Sequence, residues 1–385
     1  MPRVARTITS FYPHVTGPAN QAFTISKGLM KSTWTTKIFT TTFKSEHSPR
    51  EDNLDGVRIE RVPIAMKYMQ YLYTPDLRNR LSAFEPDLVH AHGYRSYQTE
   101  VAFEFARRQR KPFVISMHGM ASGYASMVTG VSAKLPYWAY DRGRGLQMLS
   151  RSDAIVVNSS LEENEVAAFL KGRADKIVKI PVGVEDRGRA EVEPDQRDQS
   201  LLFVGRITRD RNLPLLLRAF SMLSKTHPRL RLKIVGGEGV RSSRVRAGVM
   251  PELNELSGNL GLKNVEFTGE LRGEALQEAY RNSDIFVYTS LYENFGQTIL
   301  EAAAYGLPVI STRVGVVPDL IDDGENGIVL KANDSPLELA RAVDMLLADV
   351  DLRRDFGKKI RAKALASFSW DRVIPAYAKL YQGLT

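Results

Sequence analysis

The stretch from Asp284 to Thr312, DIFVYTSLYENFGQTILEAAAYGLPVIST, restricts the fold of this chain more than any other. Its apolar run from Ile285 to Tyr288 reads as a buried strand. A polar loop follows, from Thr289 to Phe295. The spacing then predicts a helix that begins near Gly296 and carries Ile299, Leu300 and Ala303 on its apolar face. Gly306 suits a left-handed C-terminal cap, and Pro308 prevents the helix from continuing. Pro308 to Ser311 supplies a second strand. This is a strand–helix–strand unit, the building block of an α/β fold with parallel sheets. The loop before its helix turns free backbone N–H groups outward, and a helix N-terminus among small residues favours anions.

Two carboxylates accompany this unit. Glu293 lies in the loop and Glu301 in the helix, with seven residues between them. The loop and the helix start are expected to bring both toward one mouth. Amides for phosphate and two acids for hydroxyls suit a sugar nucleotide. A solvated loop glutamate and a solvated helix glutamate would fit the same letters, since charged residues are usually exposed.

The string Glu293-Asn294-Phe295-Gly296, followed by Glu301-Ala302 and Gly306-Leu307-Pro308-Val309, resembles the E-x-F-G-x(4)-E-A signature of the retaining glycosyltransferases of family 4. The resemblance implies the GT-B architecture, two Rossmann-like domains with parallel sheets facing across a cleft. It implies that Asn294, Phe295, Gly296, Gln297 and Glu301 help bind a nucleotide-sugar donor and that Glu293 acts on the transferred sugar.

Length and composition are compatible with that reading. A chain of 385 residues suggests two domains. No apolar run is long enough to span a membrane, and the N-terminus lacks the apolar core of a secretory signal, so the cytoplasm is the expected compartment. The absence of cysteine excludes disulfides, thiol catalysis and cysteine metal sites. Residues 1–192 carry 27 Lys+Arg against 19 Asp+Glu, so they hold +8 of the chain's +9. A basic excess in one half suggests an anionic partner, such as a phospholipid surface or a phosphorylated acceptor. No nucleic-acid motif accompanies it, and no nucleic-acid partner is expected.

The domains are expected at 1–190 and 198–369, joined by a charged linker, with a helix over 370–385 crossing back to the first. In the first domain, a strand from Val4 to Ser10 leads into a loop holding Gly17 and then a helix from Ala19. The family usually has a Gly-Gly pair there near the donor phosphate. Here only Gly17 matches, and Pro18 has no N–H to give. Residues 61–86, RVPIAMKYMQYLYTPDLRNRLSAF, are expected to form a surface helix, or else a membrane-facing stretch. Asp87-Leu88-Val89-His90-Ala91-His92 resembles the family's D-x-V-H-x-H segment. His90 is expected to be packed, whereas His118, at the carboxyl end of the next strand, is placed where open α/β sheets bind ligands. The resemblance implies that His118 reaches the transferred sugar. Between 120 and 150, Gly123, Gly130, Gly143 and Gly145 suggest mobility, and Tyr124, Tyr137, Trp138 and Tyr140 suggest an apolar surface to cover. Ser160 to Glu163 is a plausible capping box.

In the second domain, Gly205-Arg206 and Arg211-Asn212 resemble the family's G-R-L-x(3)-K-G loop. The lysine is replaced by Arg211, which keeps the charge and adds a planar fork. By resemblance, Arg206 and Arg211 neutralise the donor diphosphate, and Gly205 and Gly236 lie beside the nucleotide. Asp349-Val350-Asp351 has the D-x-D form of metal-dependent transferases but sits between two predicted helices, where aspartate caps. No metal and no cofactor are therefore expected, the nucleotide sugar being substrate. A sugar-nucleotide epimerase on the same architecture and a non-catalytic sugar-nucleotide sensor are the other readings open at this point.

Overall fold

The protein is described by a computed structural model over residues 1–68, 71–119, 131–171, 174–188, 199–238, 248–331 and 335–385. Gly123, Tyr124, Gly130 and most of the expected linker lie outside the described residues. The chain forms two compact units, one of Met1–Gly183 with Trp370–Thr385, the other of Val184–Ser369.

The first unit holds strands β1 (Arg3–Ile8), β2 (Thr35–Thr41), β3 (Glu51–Leu54), β4 (Val57–Val62), β5 (Met66–Tyr68), β6 (Tyr71–Tyr73), β7 (Leu88–His92), β8 (Phe113–Ser116), β9 (Ala154–Val157) and β10 (Ile177–Lys179). Eight of them make one sheet in the order β10-β9-β8-β7-β1-β2-β4-β3, parallel throughout except for β3, which pairs antiparallel with β4. The central strands are buried along their whole length because helices cover both faces. The helices Leu77–Phe84, Tyr97–Gln109 and Ser160–Phe169 pack on one face around Phe39, Val89, Phe113 and Ile155. On the other, Ile25 and Leu29 of the helix Gly17–Met30 meet Val373, Tyr377 and Tyr381 of the helix Trp370–Gln382 over Val4, Leu88 and Val156.

The second unit has six parallel strands, β11 (Ser200–Val204), β12 (Arg231–Val235), β13 (Val265–Gly269), β14 (Ile285–Tyr288), β15 (Val309–Thr312) and β16 (Ile328–Leu330), in the order β13-β12-β11-β14-β15-β16. The order reverses between β12 and β14 on either side of β11, the arrangement of a doubly wound sheet. The unit predicted from Asp284 to Thr312 is β14, the helix Gln297–Ala304 and β15.

Three sequence expectations are corrected. Residues 61–86 do not form one helix: β4 ends at Val62, the hairpin β5–β6 follows, and the helix is confined to Leu77–Phe84. Tyrosines at 68, 71 and 73 favour a strand over a helix turn, and Tyr71 and Tyr73 pack on Tyr97. Gly143 and Gly145 lie in a π-helical turn, Asp141–Gly145, where a side chain at 145 would meet the Tyr94 hydroxyl at 2.0 Å. Gly145 serves close packing, whereas Gly143 has open space around it. The cap of the helix Ser160–Phe169 is Ser159, whose Oγ accepts from Glu162 N at 3.2 Å.

Candidate active site

In the second unit, two strand-end loops zip together. The turn Arg209–Arg211 after β11 lies against the loop after β14: Leu291 N donates to Asp210 O at 2.7 Å, and Thr289 Oγ1 donates to Arg211 O at 2.9 Å. Arg211 is brought inward by this pairing and is only 5% exposed. Its Nη1 donates to Ser290 Oγ at 2.9 Å and Tyr292 O at 2.7 Å. Its Nη2 pairs with Glu293 Oε2 at 2.9 Å, and Asp210 Oδ2 lies 3.0 Å from Nη1. Tyr288 OH also donates to Glu293 Oε2, at 2.7 Å. Burial, together with the neighbouring Glu293 charge, pushes the Tyr288 hydroxyl well up, so it stays a donor. One cation thus faces two carboxylates, with Glu293 fixed by a guanidinium and a phenol.

Glu293 leads directly into Gly296, which caps the helix Gln297–Ala304 at φ 84°. A side chain there would meet Ile299 Cδ1 at 2.9 Å and Glu293 Cγ at 3.3 Å. The helix therefore starts in the left-handed region that glycine adopts without cost; Ile299 N donates to Gly296 O at 3.0 Å, and the amides before it have no acceptor within the helix. Phe295 O accepts from Val316 N at 2.6 Å, and Gly315 lies so close that a Cβ would sit 2.3 Å from Phe295 O. Asn294 Oδ1 accepts from Tyr292 OH at 2.7 Å.

Glu301 is held apart from Glu293, by different partners. Tyr280 OH donates to its Oε2 at 3.0 Å and Gln297 Nε2 to its Oε1 at 3.1 Å. Burial raises its carboxyl above the usual range, opposed by those two donors. Arg206 is exposed, with no ion pair among the described residues. Gly205 and Gly236 lie against each other at the sheet's carboxyl edge with no room for a side chain at 236. Gly236 has φ 149°, and a Cβ on it would sit 1.8 Å from Gly205 O. Asp349, of the D-x-D string, caps the helix Val350–Phe368 by accepting from Leu352 N at 2.8 Å.

In the first unit, Gly17 opens the helix Gly17–Met30. Its first turn has few amides to offer: Thr16 Oγ1 takes Ala19 N–H at 3.2 Å, Thr16 O takes Asn20 N–H at 2.9 Å, and Pro18 has none. His118 follows β8 at φ 53°, in the left-handed region that non-glycine residues adopt uncommonly. Its Nε2 lies 3.0 Å from His92 Nδ1, and the rings stack. Burial holds its imidazole down at about 4. His90 is fully buried beside them, as expected. The next residue, Gly119, donates its N–H to Glu162 Oε1 at 2.6 Å, while Asn158 N–H donates to Glu162 Oε2 at 2.6 Å.

Sequence reasoning passed over Asp210, Tyr280, Tyr288, Ser290, Glu162 and Arg6. Their types carry no site signal alone. Asp210 adjoins Arg211, and the others gain meaning only from strand-end loops meeting in space.

The descriptions of two family models cover the chain in sequence: "Glycosyltransferase Family 4" over residues 15–187 and "Glycosyl transferases group 1" over 184–363. A D-inositol 3-phosphate glycosyltransferase of Corynebacterium jeikeium is 30% identical over 311 residues, 77% of this chain and 72% of that protein. A GDP-mannose-dependent alpha-mannosyltransferase of Mycolicibacterium smegmatis is 28% identical, over 94% of this chain and 93% of its own. Among solved structures, sucrose-phosphate synthase from Thermosynechococcus elongatus matches with a TM-score of 0.79 at 20% identity, covering 100% of this chain and 99% of that one. HepE from Anabaena, solved in complex with UDP and glucose, matches at 0.75 and 18% over 100% of both chains. The chain belongs to the group 1, family 4 glycosyltransferases. It has the GT-B fold, and it is a glycosyltransferase enzyme.

Proposed function

We propose that the protein is a retaining, metal-independent transferase that moves a hexose or N-acetylhexosamine from a UDP- or GDP-sugar to a hydroxyl of a lipid-linked or free saccharide at a membrane surface. The observation that carries this reading is the Arg211–Glu293 pair, set immediately before a glycine-capped helix start. A diphosphate needs cations and amide donors, and a sugar hydroxyl needs a fixed carboxylate.

In this reading, Arg206 and Arg211 hold the diphosphate and offset the charge that grows on it as it leaves. The amides of Phe295, Gly296 and Gln297 add donors. Glu301 accepts from the ribose hydroxyls, and Asn294 and Gln297 flank the donor, with Gly205, Gly236 and Gly17 permitting its close approach. Glu293 orients the transferred sugar and stabilises positive charge at its anomeric carbon, and His118 binds a sugar hydroxyl. The acceptor oxygen attacks the anomeric carbon on the face the diphosphate departs from. The sugar–phosphate C–O bond breaks, and the acceptor proton passes to a phosphate oxygen. No protein nucleophile is used. The nucleotide-sugar names attached to the mannosyltransferase relative and to HepE support the donor class.

The membrane part of the reading is supported by Met66 and Tyr68 on the β5–β6 hairpin and by Leu135 and Trp138 on the helix Val131–Tyr140, all exposed at 53–71%. Both elements pack around residues 94–97: Tyr73 rests on Tyr97, and Tyr140 rests on Tyr94. Lys67 and, over the Trp138 ring, Arg142 add charge of the sign an anionic bilayer attracts. No helix among the described residues is long and apolar enough to cross a membrane.

The test is a panel of UDP- and GDP-sugars, with and without lipid-phosphate and free-saccharide acceptors. Release of nucleoside diphosphate with an α-linked product from an α-linked donor, undiminished by excess chelator, is the expected result. An altered sugar without transfer would make the protein an epimerase, and binding without release would make it a sensor. A rate abolished by chelator and restored by manganese overturns metal independence. Vesicle sedimentation should show salt-sensitive binding to anionic lipid, lost in Trp138→Ala; indifference to anionic vesicles removes the membrane part.

A further inference from the structure

Strand β1 carries a guanidinium into the middle of the first unit's sheet. Arg6 is 0% exposed and no carboxylate pairs with it among the described residues. Its partners are neutral groups. Nη1 lies 3.0 Å from His90 Nδ1 and 2.9 Å from His92 Nε2, and Nη2 donates to Tyr381 OH at 2.8 Å. Arginine has only donors and keeps its proton. Every ring nitrogen that faces it must therefore present a lone pair.

This requirement propagates along the stacked rings. His92 Nε2 accepts from Arg6, so the one proton of the neutral His92 ring is on Nδ1. That N–H points at His118 Nε2, 3.0 Å away, which must in turn accept. The proton of neutral His118 is then on Nδ1. His90 follows the same rule in the other direction: its Nδ1 accepts from Arg6 and from Tyr381 OH, and its Nε2 donates to Ser116 Oγ at 2.8 Å. Protonating His118 at Nε2 would set two N–H groups against each other.

We infer that Arg6 is a positioning residue which, through His92, fixes His118 as its Nδ1–H tautomer, so that His118 meets the sugar as a hydrogen-bond donor and never as a general base or a cation. The inference rests on the reading above that His118 contacts the transferred sugar, but the tautomer is a property of the protein alone. The groups around the relay are consistent with it. Burial holds His90 and His92 well below the usual imidazole range and Tyr381 up at about 12, so none carries charge near neutral pH. Among the described residues, Glu162 is the carboxyl bonded to His118's own segment, through Gly119 N.

The tautomer can be read directly from long-range 1H–15N correlations of the full chain with labelled histidine. In wild type, His118 should show a protonated Nδ1 and an unprotonated Nε2 without ligand. His92→Gln keeps the polarity, because its carbonyl accepts from Arg6 and its amide donates to His118, and should preserve that pattern. His92→Leu and Arg6→Met should mix the tautomers. A protonated Nε2 in wild type, or an unchanged pattern in folded His92→Leu, overturns the relay. If Arg6→Met does not fold, the Gln–Leu pair at 92 still decides. In turnover, His118→Asn, which retains an N–H donor, should lose less than His118→Asp by about tenfold, the worth of one hydrogen bond. An intact tautomer pattern with no turnover loss in either His118 variant would leave the relay standing and remove the sugar contact instead.

Discussion

Arg206 and Arg211 look alike in the sequence and differ in the fold. Arg206 is exposed, whereas Arg211 is buried between Glu293 and Asp210. Arg206→Ala should lower kcat/KM through one lost charge-assisted contact, about 2–4 kcal/mol in the transition state, and leave the melting temperature unchanged. Arg211→Ala should lower both, because two carboxylates lose their partner. Breaking a buried pair costs about 3–5 kcal/mol, and the partial exposure of Glu293 reduces that. Arg211→Lys should restore the fold more than the rate, since an ammonium can reach Glu293 but cannot also span Ser290 and Tyr292 in one plane. Parallel thermal and kinetic measurements check this; equal stability loss at both positions would contradict the burial difference. The letters showed that both positions are cationic. They could not show which one is buried, because that depends on Ser290 and Asp210 meeting across a loop pair 80 residues apart in sequence.

Elements were more legible than contacts. The β14–helix–β15 unit was predicted nearly to its ends because apolar runs, Gly306 and Pro308 act locally. The β5–β6 hairpin was missed because the contacts of Tyr71 and Tyr73 with Tyr97, distant in sequence, outweigh the helical spacing of the Met and Leu residues. The edges of the second sheet illustrate the same limit. Gly236 is singled out in the sequence by resemblance alone, yet a side chain on it would collide with Gly205 O. Gly236→Ala should therefore separate β11 from β12 at their carboxyl ends and weaken nucleotide-sugar binding at least tenfold, which corresponds to about 1.4 kcal/mol. Gly261→Ala is the control, since it has a positive φ but open space around it. Calorimetric titration of both variants checks this: comparable affinity in the two would show that close approach at Gly236 is not needed. Gly315 has the same standing against Phe295 O.

At the scale of the whole molecule, the first unit should lose stability in acid. His118 at about 4, with His90 and His92 lower than usual, binds fewer protons folded than unfolded, so their contribution is full above about 6.5 and is lost as pH falls. Glu162 runs the other way. Burial raises it to about 7, although two backbone N–H groups oppose the rise, so its contribution is lost as pH climbs through 7. All three tryptophans, Trp34, Trp138 and Trp370, belong to the first unit, so their fluorescence follows it alone. The urea midpoint should rise from about pH 4 to about pH 7, because three histidines gain their contribution over the window in which one glutamate loses its own. Glu162→Gln should steepen that rise, and a midpoint independent of pH in wild type would contradict the histidine shifts. The same unit also has an unusual assembly order. The Tyr381 hydroxyl that receives Arg6 lies 375 residues away along the chain, and Val373, Tyr377 and Tyr381 fill the core that β1 begins. During synthesis, the second unit has all its strands before the first has its closing helix. The half that is made first must therefore finish folding last, and until then its sheet carries an uncovered apolar face for a holding factor to shield.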